Sequence, residues 1–466
     1  MTARSFPKAF LWGTATASYQ VEGEVEGRGR SIWDTFSHQP GNTRNGDNGD
    51  VACQHYSRLE EDLDLVSELG VNAYRFSIAW PRAQPDGKGP ANQAGLDFYR
   101  RMVDGLRARG ALPVGTLYHW DLPQALEDEG GWAERVTAER YGDYVAMVAS
   151  ALGDDVGAWV TLNEPWCSSW LGYGTGLHAP GRREPAAALR AAHHLLLAHG
   201  RGVEALRALT KSPVGISLCL VPAMPASQHE LDVAAADWVD GNQNRAFLWP
   251  LFKSSYPEDV SRLFGVPGQA LDFVEPGDMA QISRPIDFLG VNYYQSIVWA
   301  DLERVARAQH DGYFVPASLP SRKGEGLPTP VRVLRPGLDR TAMGWEIDPP
   351  GLTATLVRVR DDFTHLPLYV TENGVALNDY RGPDGAVHDP GRVEYLAAHI
   401  DAVAEAIDQG VDVRGYFTWS LMDNFEWQEG YAMRFGLAWV DYPTGERVRK
   451  DSFHWYKKVA ATNALA

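Results

Sequence analysis

The sequence predicts a single (β/α)8 barrel spanning residues 1–466, and three observations carry that expectation. Eight short, near-continuous apolar runs recur along the chain, the pattern of parallel strands buried on both faces. Stretches with helical spacing and good helix formers separate several of them. Polar and aromatic residues gather where the runs end, which is where such a barrel places its working groups.

The predicted strands, in order, are Ala9–Thr14, Ala73–Ala79, Leu112–Tyr118, Trp159–Leu162, Val214–Leu220, Phe288–Tyr294, Leu368–Thr371 and Gly415–Ser420. Predicted helices between or after them include Tyr56–Leu69, Leu96–Arg109, Ala186–Ala208 and Arg392–Gln409. Arg75 lies within the second strand, and Tyr118-His119-Trp120 closes the third. Asn163-Glu164 follows the fourth, Asn292-Tyr293-Tyr294 the sixth, Glu372-Asn373 the seventh, and Trp419-Ser420 the eighth. Short polar side chains beside aromatic platforms suit a pyranose, which offers hydroxyls on its rim and an apolar ring face.

Composition narrows the function classes. A hydrophobic content of 44% with 22% charged residues describes a chain able to bury a large core. The net charge of −17 argues against nucleic acid or an anionic membrane surface as partner, and an uncharged or cationic ligand fits better. The odd set Cys53, Cys167 and Cys219 is no disulfide framework, which points to a reducing compartment; with nothing that resembles a thiol-protease partner set or a metal cluster, Cys167 and Cys219 are read as packing residues. The start, Met1-Thr2-Ala3-Arg4-Ser5-Phe6-Pro7, lacks the apolar run of a signal peptide, and no stretch has the length of a membrane span, so a cytoplasmic location is expected. The Asp-Gly and Asn-Gly pairs around Asn45–Asp50 read as turns.

Two motifs point to chemistry. Thr161-Leu162-Asn163-Glu164-Pro165 and Tyr369-Val370-Thr371-Glu372-Asn373-Gly374 each place one glutamate after an apolar run. An ionised carboxylate at the end of a buried strand is costly unless partners or a shifted pKa compensate it. Glycoside hydrolysis uses such a pair without metal or cofactor: one carboxyl protonates the leaving oxygen, and the other attacks the sugar or activates water.

The chain resembles the family 1 glycoside hydrolases almost end to end. The likeness runs from Phe6-Pro7-Lys8-Ala9-Phe10-Leu11-Trp12-Gly13 and Ser18-Tyr19-Gln20-Val21-Glu22-Gly23 through both glutamate motifs to Phe435-Gly436-Leu437. The resemblance implies hydrolysis of a terminal β-glycoside with retention of configuration, Glu164 being the acid/base and Glu372 the nucleophile. It places Arg75 and the Tyr294 hydroxyl beside the nucleophile, gives Asn292 a supporting role, and sets Gln20, His119, Trp120, Asn163, Tyr294, Trp419, Glu426 and Trp427 around the sugar. Trp166, Leu171, His178 and Trp345 match its aglycone side, and Ser318–Thr341 reads as a rim loop. Glu426 and Met433 stand where the phosphoglycosidase branch resembles serine and lysine, so an unphosphorylated sugar is expected.

Several readings stay open at this level. Arg75 could pair with Glu372 or with Asp121, and Trp419 and Trp427 could serve as plain core aromatics. A sugar-binding barrel without turnover is disfavoured by the presence of both glutamates. A transglycosylase would share the same covalent intermediate, and product analysis with an added acceptor separates it from a hydrolase.

Overall fold

The computed structural model of the protein describes residues 4–308, 313–314 and 327–465. Eight strands form a closed parallel barrel: β1 (Leu11–Ala15), β2 (Ala73–Ser77), β3 (Leu112–Thr116), β4 (Ala158–Asn163), β5 (Val214–Cys219), β6 (Phe288–Asn292), β7 (Leu368–Asn373) and β8 (Val413–Trp419). They pair in sequence order, and β8 returns to β1. Each overlaps one predicted apolar run, with ends differing by a few residues. Among the surrounding helices are α1 (Leu59–Leu69), α2 (Gln93–Ala108), α3 (Arg135–Leu152), α4 (Pro185–Leu209), α5 (Pro349–Asp362), α6 (Pro390–Asp408) and α7 (Asp451–Thr462). Among the described residues, no helix is long and apolar enough to cross a membrane.

The period of two along each strand sorts the barrel interior into layers. Ala73, Val114, Val160, Phe288 and Phe417 form an apolar plug with Leu11, Leu112, Ala158 and Tyr369. One inward position further along, the same strands carry Arg75, Thr116 and Thr371, and Asn292 follows on β6. The side chains therefore change from apolar to polar toward the C-terminal rim. The ladder slips between Val160 and Asn163 on β4, and between Val370 and Glu372 on β7. Bulges at a barrel rim re-aim side chains, and here they turn both glutamate motifs into the mouth.

The loop after β8 is tied down from below. Lys450, fully buried, donates to Asp423 at 2.7 Å and to Asp379 at 2.5 Å. Arg434 also reaches Asp423 at 2.7 Å, and Arg392 reaches Asp379 at 2.7 Å. These pairs clamp the segments following β7 and β8 to one another.

The rim expectation needs correction. Of Ser318–Thr341, residues 318–326 lie outside the described residues, and the remainder is not simply a loop. Pro330–Val333 is a strand, antiparallel to Ile297–Asp301, within a four-stranded sheet. Val331 packs in a small cluster with Ala300 and Val305, and Val333 packs against it, which gives the segment a reason to be extended.

Candidate active site

Asn163 is the hub of the barrel mouth. Its Oδ1 accepts from Arg75 Nη2 at 2.7 Å and from Asn292 Nδ2 at 3.0 Å, so its Nδ2 must face His119 Nε2, 2.9 Å away. An amide nitrogen only donates, so the His119 ring is neutral and carries its proton on Nδ1. Burial, followed by the nearby Arg75 charge, holds the His119 pKa well below its ordinary value, in agreement with that assignment.

The two glutamates are both buried but are served differently. Glu372 Oε1 accepts from Arg75 Nη1 at 2.5 Å, and its Oε2 accepts from the Tyr294 hydroxyl at 2.8 Å. Arg75 is itself held by Thr116 Oγ1 at 3.1 Å and the Thr371 carbonyl at 3.3 Å. Burial pushes the Glu372 carboxyl up, and the charge and hydrogen bond of Arg75 pull against that rise, followed by Tyr294. Arg75 therefore pairs with Glu372 and not with Asp121, whose Oδ2 instead accepts from Ser18 at 2.8 Å.

Among the described residues, no cation forms an ion pair with Glu164. Asn292 Nδ2 donates to its Oε1 at 2.6 Å, and Asn292 Oδ1 accepts from Thr371 Oγ1 at 2.6 Å, which fixes the amide orientation. Cys167 Sγ donates to Glu164 Oε2 at 3.1 Å, so this thiol is more than the packing residue read from sequence. Burial, then the negative Glu372, raises the Glu164 pKa to about 7. The Glu164 backbone is left-handed, with φ 48°, as are Trp120 at 77° and Trp427 at 47°. Non-glycine residues hold that conformation only where the surroundings over-determine it, and here three do so around one pocket.

The Gly374 of the second motif has a steric cause: a Cβ there would lie 1.8 Å from the Trp419 carbonyl oxygen. The backbones of β7 and β8 approach closely at this point, and glycine permits it.

Around the glutamates, Trp419 packs with Tyr294, Trp345, Met433 and Phe435 and lies nearly parallel to His119, 5.9 Å away. Trp427 stacks obliquely on Trp120 at 4.6 Å, and Trp120 Nε1 donates to the Asn163 carbonyl at 3.0 Å. Gln20 Nε2 is spent on the Phe425 carbonyl at 2.7 Å and Asn424 at 3.1 Å, and its buried Oε1 has no hydrogen-bond partner among the described residues. Glu426 Oε2 is also buried with no hydrogen-bond partner among the described residues, and burial, then Glu372 and Glu164, raises its pKa to about 8. Two unsatisfied buried acceptors on one wall are what a polyhydroxyl ligand would satisfy.

On the outer side, His178 lies 5.2 Å from Trp120 and its backbone N–H donates to the Leu171 carbonyl at 3.1 Å. Trp345 packs on Tyr294 at 5.4 Å. Trp166 Nε1 donates to Asn242 Oδ1 at 2.7 Å. Sequence reasoning missed the hydroxyls of Thr116 and Thr371 and the thiol of Cys167. For Cys167 a signal existed, since it stands three residues after Glu164 at the start of a helical segment. Among the described residues, no group of three or more His, Cys, Asp or Glu is arranged to hold a metal ion.

Comparison with known proteins settles the lineage. Glycosyl hydrolase family 1 matches residues 2–465. The chain belongs to this family. It is therefore a glycoside hydrolase, as the resemblance implied. Beta-glucosidase A of Thermotoga maritima is 44% identical over 469 residues, covering 100% of both chains. The bifunctional beta-D-glucosidase/beta-D-fucosidase of Bifidobacterium breve is 49% identical over 471 residues, covering 98% of this chain and 99% of the relative. The solved family 1 b-glucosidase from Thermotoga maritima superposes with a TM-score of 0.91 at 43% identity, covering 100% of both chains. A structure of the Thermotoga maritima beta-glucosidase in complex with deoxynojirimycin gives 0.90 at 44% identity, covering 99% of this chain and 100% of that one.

Proposed function

We propose that this family 1 hydrolase is a retaining β-glucosidase. It removes terminal non-reducing β-D-glucosyl residues from cellobiose, cello-oligosaccharides and aryl β-glucosides, with side activity on β-galactosides and β-fucosides. The observation that carries the reading is the unequal environment of two buried carboxyls: Glu372 takes an arginine and a phenol, whereas Glu164 takes an amide and a thiol. The names of the relatives support the glucoside and fucoside assignments.

In this mechanism Glu372, kept anionic by Arg75 and Tyr294, attacks the anomeric carbon while Glu164 gives its proton to the leaving oxygen. Glycosylation consumes the Glu372 charge, which removes the second-largest cause holding the Glu164 pKa up. Glu164 then deprotonates the incoming water, so one residue acts first as acid and then as base. Gln20 Oε1 and Glu426 Oε2 accept sugar hydroxyls, His119 and Asn163 contribute further polar contacts, Trp419 forms the floor, and Trp120 and Trp427 shape the wall. Trp166, Leu171, His178 and Trp345 line the aglycone side. The whole of 1–466 acts as one catalytic unit in the cytoplasm, on small neutral glycosides and without cofactor, nucleic acid or membrane partner.

The test is a panel of nitrophenyl β-glycosides with the product anomer followed by proton NMR. The reading expects β-glucoside as the best substrate and β-glucose as the first-formed product. Release of α-glucose first, or preference for another glycone by a wide margin, would overturn it.

A further inference from the structure

We infer that Cys167 is a positioning residue that denies the Glu164 carboxylate any strong donor at Oε2, the oxygen on which Asn292 leaves the acidic proton. The inference rests on the proposed role of Glu164 as acid/base. Oε1 faces Asn292 Nδ2 at 2.6 Å, and that nitrogen cannot turn, because Asn292 Oδ1 already accepts from Thr371. A carboxylic O–H cannot point into an N–H donor, so the acidic proton sits on Oε2. Among the described residues, the hydrogen-bond donor reaching Oε2 is the Cys167 thiol, at 3.1 Å.

A thiol is a weak donor; it touches the oxygen without stabilising the anion much. A hydroxyl at the same place would favour the ionised form and pull the acid down, because hydrogen bonds to a charged form select it. The helix start makes the placement reproducible: the Cys167 backbone N–H donates to the Glu164 carbonyl at 2.9 Å, so side chain and main chain of one residue hold the other. Cys219, at the end of β5, lies against the Cys167 sulfur and accepts from Gln243 Nε2 at 3.9 Å. The other charged or titratable groups facing Glu164 are Glu372 on β7, Arg75 on β2, Tyr294 after β6 and Glu426 after β8. Substitution at residue 167 leaves them all in place.

The experiment compares the alkaline limb of the kcat/KM profile in wild type, Cys167→Ser and Cys167→Ala, using an aryl glucoside whose leaving group needs protonation. That limb reports the acid of the free enzyme. Cys167→Ser should move it to lower pH by roughly 0.5–1 unit, the effect of one added strong donor, while Cys167→Ala should not move it down. Above the limb the serine variant should therefore lose about three- to tenfold in kcat/KM on that substrate. A highly activated aryl glucoside, which needs little protonation, should show a much smaller loss. Cys167→Thr supplies the same hydroxyl if the serine variant does not fold.

Glu164→Gln, run in parallel, separates the two readings. Loss of the alkaline limb there, with an unmoved limb in the serine and threonine variants, would overturn the positioning role alone. A limb that persists in Glu164→Gln would overturn the acid/base assignment beneath it. An equal downward shift in the alanine variant would also refute the inference, because it would show that the sulfur was not withholding a donor.

Discussion

Tyr294→Phe removes a single donor from Glu372 and leaves the ring in place against Trp345 and Phe435. The hydroxyl stands 2.8 Å from Oε2, and Arg75 retains its own contact with Oε1. A hydrogen bond to a charged group contributes about 1.5–3 kcal/mol. At about 1.36 kcal/mol per pKa unit, losing it raises the Glu372 pKa by roughly 1–2 units. The sign follows from the mechanism: the nucleophile works deprotonated, so a higher pKa keeps it inactive to higher pH. The acid limb of kcat/KM should thus move up by that amount, while the alkaline limb, set by Glu164, stays nearly still. The assay is kcat/KM for nitrophenyl β-glucoside across the pH range, with thermal unfolding to verify the fold. An acid limb that stays put or moves down would refute the claim that the phenol stabilises the anionic nucleophile.

In the wild type, kcat/KM should fall as pH rises through about 7, where Glu164 loses its proton; a profile flat through that region would count against the acid assignment. Glu164→Ala should lose far more activity on glucosides of basic alcohols than on activated aryl glucosides, and added azide should restore turnover with the β-azide as product. A glucoside 6-phosphate should be a poor substrate, most of all above about pH 8, where Glu426 is ionised and a dianion about 4 Å away costs several kcal/mol even at an effective dielectric of about 20. Comparing kcat/KM for nitrophenyl β-glucoside and its 6-phosphate tests this, and a phosphate preference would reject the substrate class. Lys450→Met strips one counter-charge from buried Asp423 and Asp379, so the urea midpoint should drop by the equivalent of about 3 kcal/mol, with KM rising more than kcat falls as the loop bearing Glu426 loosens. A wild-type midpoint would show that Arg434 and Arg392 suffice.

The barrel was legible because parallel strands buried on both faces must be nearly continuous apolar runs, and the chain carries eight of them. The family was legible from the two glutamate motifs and the flanking blocks. Partner choice was not. Sequence offers Arg75 both Asp121 and Glu372, and the closure of the barrel, which brings β2 to β4 and β7 through Asn163 and Thr371, decides for Glu372. The bulges on β4 and β7 leave no mark in hydrophobic pattern, yet they aim the glutamates. Cys167 read as packing because its type is apolar, although its place three residues after Glu164, at the start of a helical segment, is what carries the thiol to that carboxyl. Pro330–Val333 read as part of a rim loop because its partner strand lies about thirty residues upstream, with its proline at the first strand position, where no ladder donor is needed.

The most direct test of the two-carboxyl account is to trap the intermediate. Incubation with a 2-deoxy-2-fluoro-β-glucoside bearing an activated leaving group, followed by peptide mapping, should find the fluoroglucosyl group on Glu372, with activity returning slowly as the ester hydrolyses. A label on Glu164, on Glu426 or on any other residue would contradict the assignment of the nucleophile, and no covalent adduct despite rapid turnover of ordinary glucosides would contradict the double displacement itself.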